Sequence, residues 1–213
     1  LGPNEVELCF ADALRNAVSE LTGIPVEVTK TDEGKKIVLA GPAATRPQQQ
    51  WTPEEFLALL HKIIVQVTGD ADIAKAHAPR FAHVLADRAE SVHLKDGMTV
   101  GRLLQLMGTE CFREIDPNIW VNTLMRKWRE LGSPPLLVGD VRFPEEQEAI
   151  HKAGGVVIEI RRAAAQREDG RAAAHASERA LDGVNADFGI ENDGTLEDLR
   201  NAAAVLWLII STA

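Results

Sequence analysis

Cysteine is scarce in this chain. Two residues, Cys9 and Cys111, among 213 are too few for a disulfide scaffold or a cysteine metal site, and both lie in apolar sequence. A reducing, cytoplasmic setting is the simpler expectation. Long apolar runs are missing as well: the stretch Ala202 to Ile210 is too short to span a bilayer, and no basic-then-apolar signal opens the chain. Positive charge is in deficit, with 23 Lys and Arg against 32 Asp and Glu, a formal net charge of −9. That balance argues against broad nucleic-acid binding and leaves only local clusters, of which the Arg-rich stretch from Arg161 to Arg171 is the candidate. His175-Ala-Ser177-Glu178 has no Gly-x-Ser-x-Gly elbow and no apolar strand leading into it, so a serine hydrolase is disfavoured. The other histidines, His61, His77, His83, His93 and His151, lack the His-Glu-x-x-His spacing of a catalytic zinc and are expected to be surface or partly buried side chains. No internal repeat occurs, and the Ala/Arg segment 161–174 is the one biased tract. An initiator Met is also missing, which is expected to reflect processing or a longer natural protein.

What is present is a soluble globular composition, 45% apolar, enough for one or at most two domains with a sizeable core. The most informative stretch runs from Leu136 to Ile160 and reads as strand, loaded turn, helix, tight turn and strand. The first strand is continuously apolar, predicting burial on both faces. It emerges into Asp140 and Arg142, where a parallel sheet places its ligands. An acid and a base on that rim suggest a phosphorylated substrate. Pro144 suits a first helical position, Glu145 and Glu146 suit the positive helix start, and Gly154-Gly155 ends the helix. The unit is then expected to be a right-handed βαβ crossover.

Elsewhere, Val6 to Phe10 predicts a short strand running into a helix over Ala11 to Leu21, closed by Gly23 and Pro25. Residues 26–50 suggest a hairpin over Val26 to Leu39, turning at Asp32-Glu33-Gly34, then a Pro/Gln-rich mobile loop. Thr52-Pro53-Glu54-Glu55 is a capping box, and Phe56, Leu59, Leu60, Ile63, Ile64 and Val67 form an apolar stripe behind it. A helix from Asp72 to Glu90 is expected to be interrupted by Pro79. Another starts near Thr99 and ends before Gly108, and a further one is capped by Asp116-Pro117 and stops at Gly132. Asn192-Asp193-Gly194-Thr195 reads as a turn that delivers Thr195 as the cap of the last helix.

A second constellation is Gly101-Arg102 to Arg113. Arg102 and Gln105 are three apart and share one helical face, and Gly108-Thr109 would let the backbone turn close to a ligand. The parts are a guanidinium for phosphate, an amide for a base edge, and Trp120 beyond them for stacking or packing. Taken singly, each has a plainer alternative: a surface ion pair, a solvated helix residue, a core aromatic.

In combination these segments resemble the phage-type deoxynucleoside monophosphate kinase family of the P-loop kinase superfamily. Phe10-Ala11-Asp12-Ala13-Leu14-Arg15 is similar to the family's Phe-Ala-Asp-x-Leu-Lys segment. Leu104-Gln105-x-x-Gly108-Thr109-Glu110-x-x-Arg113, Asp140-Val-Arg142-Phe-x-x-Glu, His175-x-Ser177-Glu178 and Asn192-Asp193-Gly194-Thr195 follow in the family's order. The resemblance implies a three-layer α/β, P-loop-kinase-like fold over 1–213, with a mostly parallel sheet, a helical substrate-side insertion over 26–100 and a lid over 161–178. It implies transfer of the γ-phosphoryl of ATP–Mg²⁺ to a deoxynucleoside monophosphate. By the same resemblance Arg102, Gln105, Thr109, Glu110, Arg113 and Trp120 form the monophosphate pocket, with Asp12 and Arg15 facing the same cleft. Asp140 orients Mg²⁺ or the attacking group, Arg142 helps to hold phosphate, and Arg161 and Arg162 neutralise charge. Arg167, Arg171, His175 and Glu178 belong to the lid. No protein metal cage and no membrane partner are implied, nucleic acid is disfavoured, and a homodimer stays open. The setting is the cytoplasm, that of a host if the chain is phage-encoded.

One departure from the family is large. A Gly-x-x-x-x-Gly-Lys-Ser/Thr loop should hold the ATP phosphates, and this sequence has none; Gly34-Lys35-Lys36-Ile37 lacks both the earlier Gly and the Ser/Thr. The expectation favoured is that the loop belongs upstream of Leu1. The alternatives are a non-catalytic nucleotide-binding protein of kinase descent and a kinase holding ATP by other groups. A kinase acting on a modified base in DNA is a further alternative, and it would need a continuous basic track.

Overall fold

The computed structural model describes residues 5–39, 52–91, 98–161 and 186–212. They fall into two compact units, 1–140 and 141–213. In the first, β1 (Val6–Leu8) leads to α1 (Asp12–Thr22), the short helices α2 (Val26–Lys30) and α3 (Asp32–Lys35), and β2 (Val38–Leu39). Then come α4 (Pro53–Thr68), α5 (Ala71–Ser91), β3 (Met98–Thr99) and α6 (Val100–Gln105). A π-helical turn, Leu106–Cys111, a 3₁₀ turn, Phe112–Glu114, α7 (Ile119–Glu130) and β4 (Leu136–Val138) complete the unit. The second unit holds α8 (Pro144–Lys152), β5 (Ile158–Arg161), β6 (Phe188–Glu191) and α9 (Leu196–Thr212). This is a mixed α/β structure in which β1 pairs with β4 and β5 with β6, both parallel, while β2 and β3 are antiparallel.

Helix ends follow the local chemistry. The Thr52 hydroxyl accepts from the Glu55 N–H at 3.2 Å and the Glu55 carboxylate accepts from the Thr52 N–H at 2.8 Å, so two otherwise orphaned donors are satisfied at the start of α4. Gly69 closes that helix at φ 77°, a left-handed conformation that costs glycine little. The stripe works as its spacing requires: Leu60, Ile63, Ile64 and Val67 are buried, and α4 packs against α1, α5 and α7. Val18 and Leu21 of α1, Phe81 of α5, Leu103 of α6 and Phe112 fill the same core. The Phe112 ring meets Phe81 edge-on at 5.0 Å and Trp120 at 5.2 Å. Thr195 caps α9, its hydroxyl accepting from the Asp198 N–H at 3.2 Å while the Asp198 carboxylate accepts from the Thr195 N–H at 2.8 Å.

Four elements differ from the sequence expectation. The hairpin over Val26 to Leu39 is instead two short helices and a two-residue strand, because the Thr31 hydroxyl caps α3 by accepting from the Gly34 N–H. Only its last two residues pair, and with β3. Pro79 does not interrupt α5, which runs on through it; Pro79 and Lys75 lie on the exposed face, where water can take up the carbonyl that the missing N–H leaves free. Nor is β4 buried on both faces: Leu137 is 50% exposed. β4 pairs with β1 and β5 with β6, so α8 does not connect two hydrogen-bonded neighbours. No helix among the described residues is long and apolar enough to cross a membrane.

Candidate functional site

The first cluster lies at the head of α1. Strand β1 ends at Leu8, and the three N–H groups that follow have no backbone acceptor among the described hydrogen bonds. Carboxylates take them. Cys9 N–H donates to Asp12 Oδ2 at 2.9 Å, Phe10 N–H to Asp140 Oδ1 at 2.8 Å and Ala11 N–H to Asp140 Oδ2 at 3.0 Å. Parallel pairing of β1 with β4 brings these groups together, because Leu8 and Val138 are in register and both chains leave the sheet at the same end. Asp12 also pairs with Arg15 Nη1 at 3.4 Å. Cys9 is therefore half-buried beside two carboxylates rather than in apolar surroundings. Burial, then the charges of Asp140 and Asp12, push its thiol pKa up.

The second cluster follows α6. Thr99 caps this helix, its hydroxyl accepting from the Arg102 N–H at 3.1 Å. Gln105 and Thr109 are exposed, whereas Arg102 Nη2 donates to Glu110 Oε1 at 3.1 Å. The π-helical turn explains that pairing. In an uninterrupted α-helix the seventh residue along returns to the starting face, and the wider i→i+5 turn inserts one more, which makes it the eighth. Arg113 Nη1 donates to the Pro117 carbonyl at 3.1 Å.

Two expectations change here. Gly108-Thr109 is no turn; Gly108 is buried inside the π-helical segment, and a Cβ there would meet Leu14 Cδ2 at 2.9 Å, so the residue is small because α1 packs against it. Trp120 is 5% exposed and its indole N–H donates to the Gly108 carbonyl at 3.2 Å, so of stacking and packing it does the second. Since α1 touches both α6 and the π-helical turn, the residues Asp12, Arg15 and Asp140 and the residues Arg102 and Glu110 belong to neighbouring elements of one unit.

Arg142 and Arg161 lie in the second unit. Arg142 is exposed, and its N–H and that of Phe143 donate to Glu146 Oε2 at 2.7 and 3.1 Å, which makes buried Glu146 the anchor of the Arg142 loop. Arg161 is held by Glu159 at 2.7 Å and Glu191 at 3.3 Å, carboxylates that raise its pKa further. Arg162, Arg167, Arg171, His175 and Glu178 lie outside the described residues. A groove of about 750 Å³ that the sequence did not announce runs along α1, lined among others by Asn16, Glu20, Arg126 and Lys127. Its one early sign was Thr123, Arg126 and Lys127 at helical spacing. Arg126, however, is spent on the Gln66 and Val67 carbonyls at 3.0 and 2.9 Å.

Together the parts describe a mixed α/β protein whose first unit gathers guanidinium, amide and hydroxyl groups along one helical segment, chemistry suited to a small anionic ligand. The model of the deoxynucleotide monophosphate kinase family matches residues 54–203, and the chain belongs to that family. The match includes the segment from Arg102 to Trp120 and residues Asp140 and Arg142, and begins beyond Asp12 and Arg15. No curated protein matches the chain.

Proposed function

We propose that the chain is the acceptor-binding body of a deoxynucleoside monophosphate kinase, in which a phosphate oxygen of the monophosphate attacks the γ-phosphorus of ATP and the bond to the leaving ADP breaks. Family membership over residues 54–203 carries this reading. Arg102 and Arg113 take the monophosphate, Gln105 and Thr109 face the base and sugar, and Glu110 and Trp120 hold that wall in place. Arg15 and Asp12, on the neighbouring α1, flank it. A layered P-loop-kinase arrangement of the whole chain, with a single domain over 1–213, is part of the same proposal.

Such transfer rests on alignment and charge neutralisation rather than covalent catalysis. The ATP side is where the residues do not fit: none of the 213 residues forms the glycine-rich Lys-Ser/Thr cradle, so no transfer step is assigned to this chain's groups there. Mg²⁺ in kinases is held by one or two carboxylates together with phosphate oxygens, and among the described residues no group of three or more His, Cys, Asp or Glu converges. Calorimetric titration with the four common deoxynucleoside monophosphates tests the acceptor site. Saturable binding of at least one is expected, and no binding of any overturns the proposal.

A further inference from the structure

Resting on that reading of the acceptor site, we infer that Asp140 is a positioning residue, which locks the turn between β1 and α1 and thereby sets the first turn of α1, rather than a ligand of the metal that accompanies the nucleotide. Both of its oxygens are engaged by successive backbone N–H groups, at 2.8 and 3.0 Å. A carboxylate holding two adjacent amides is oriented by both, and any rotation away from them would release them. The amides have no other described acceptor, and Phe10, whose N–H is one of them, is 4% exposed. Leaving them unmet would orphan buried donors, which folded proteins avoid. What Asp140 holds is the entry to α1, the helix that carries Asp12 and Arg15 and packs by Leu14 against Gly108. The linkage from strand β4 to the acceptor wall is thus Asp140, the Phe10–Ala11 backbone, α1 and the π-helical turn. Asp12 completes the lock by accepting the preceding Cys9 N–H at 2.9 Å.

Two measurements decide it. Native-state amide exchange of the unmodified chain should show Phe10 and Ala11 protected like the interior of α1, although no backbone carbonyl receives them; free exchange at both would overturn the lock outright, with no variant needed. In Asp140→Asn one oxygen becomes an amide that cannot accept, and exchange at one or both sites should rise by about tenfold or more. The second measurement is the affinity of the best-bound deoxynucleoside monophosphate for Asp140→Asn, with Mg²⁺ and again with a chelator. A positioning residue weakens binding several-fold and equally in both conditions. Weakening seen only with Mg²⁺ would make Asp140 a metal ligand, and unchanged affinity in both would reduce it to a purely structural residue; either overturns the inference. If the unmodified chain bound no monophosphate at all, the functional reading would fail, and the exchange data would still decide the lock.

Discussion

At the residue scale, a face of Arg102 and Gln105 was legible because three-residue spacing places side chains together on any helix. Its partner Glu110 was not, since periodicity cannot announce a π-helical turn that moves the matching position from seven to eight. The pair has a testable sign. Both side chains are partly exposed, 40% and 30%, so releasing Arg102 costs at most about 1 kcal/mol, and in the proposed site Glu110 would also set a negative charge near the incoming phosphate. Arg102→Ala is expected to weaken deoxynucleoside monophosphate binding by about one to two decades, the cost of a charge-assisted contact. Glu110→Gln is expected to tighten it by up to about fivefold, and calorimetry on both variants checks the pair of signs. Cys111 offers a pH prediction. Burial, then the Glu110 charge, pushes its thiol from 9.0 up to about 12. The folded state therefore keeps a proton that the unfolded state releases above pH 9, so this contribution is full below that value and is lost as pH rises toward 12. The slope is about 1.4 kcal/mol per pH unit at most. Urea melts between pH 8 and 10.5 should show a steeper alkaline loss for the unmodified chain than for Cys111→Ala, and parallel curves would contradict it.

At the scale of elements, what could be read was whatever a few adjacent residues decide. The Thr52 capping box, Gly23 at the end of α1 and the Thr195 cap all depend on groups within four positions, and all formed. The segment from Val26 to Leu39 failed the same test in reverse: its Asp32-Glu33-Gly34 turn suggested a hairpin, but Thr31 caps a helix from within it, and the strand partner of Leu39 is Met98, far along the chain. Pairing of β4 was likewise hidden, because β1 lies about 130 residues away and no local pattern names it. Glu146 shows how a motif residue can be structural. The residue is 3% exposed, and its carboxylate accepts from the N–H groups of Arg142 and Phe143 at the start of α8. Glu146→Ala should destabilise the fold by about 1.5–3 kcal/mol, because two donors lose a charged acceptor. Glu148→Ala, which removes an exposed pair with Lys152 at 2.7 Å on the same helix, should cost less. Denaturant unfolding of the two variants compares them directly, and equal midpoints would remove Glu146 from this role.

For the whole molecule, family and composition point one way and one missing segment points another. Residues 54–203 match the deoxynucleotide monophosphate kinase family, and the groups proposed for the acceptor lie on neighbouring elements of the first unit. The phosphate cradle for ATP, however, occurs nowhere in the 213 residues. Backbone N–H groups and a lysine around the β- and γ-phosphates do most of the positioning in P-loop kinases, and charge stabilisation there is the larger part of the rate. A body that keeps the acceptor site without that cradle should bind the nucleotide and leave the chemistry nearly idle. This chain is therefore expected to bind a deoxynucleoside monophosphate while forming ADP from ATP and Mg²⁺ very slowly or not at all. A coupled assay for ADP, run beside Arg102→Ala to separate true turnover from contaminating ATPase, measures this. Robust, monophosphate-dependent turnover that Arg102→Ala abolishes would overturn the prediction and require that other groups of this chain hold the donor phosphates. Saturable binding with no turnover would leave the chain an acceptor-binding body, which is also the behaviour of a non-catalytic nucleotide-binding protein of kinase descent.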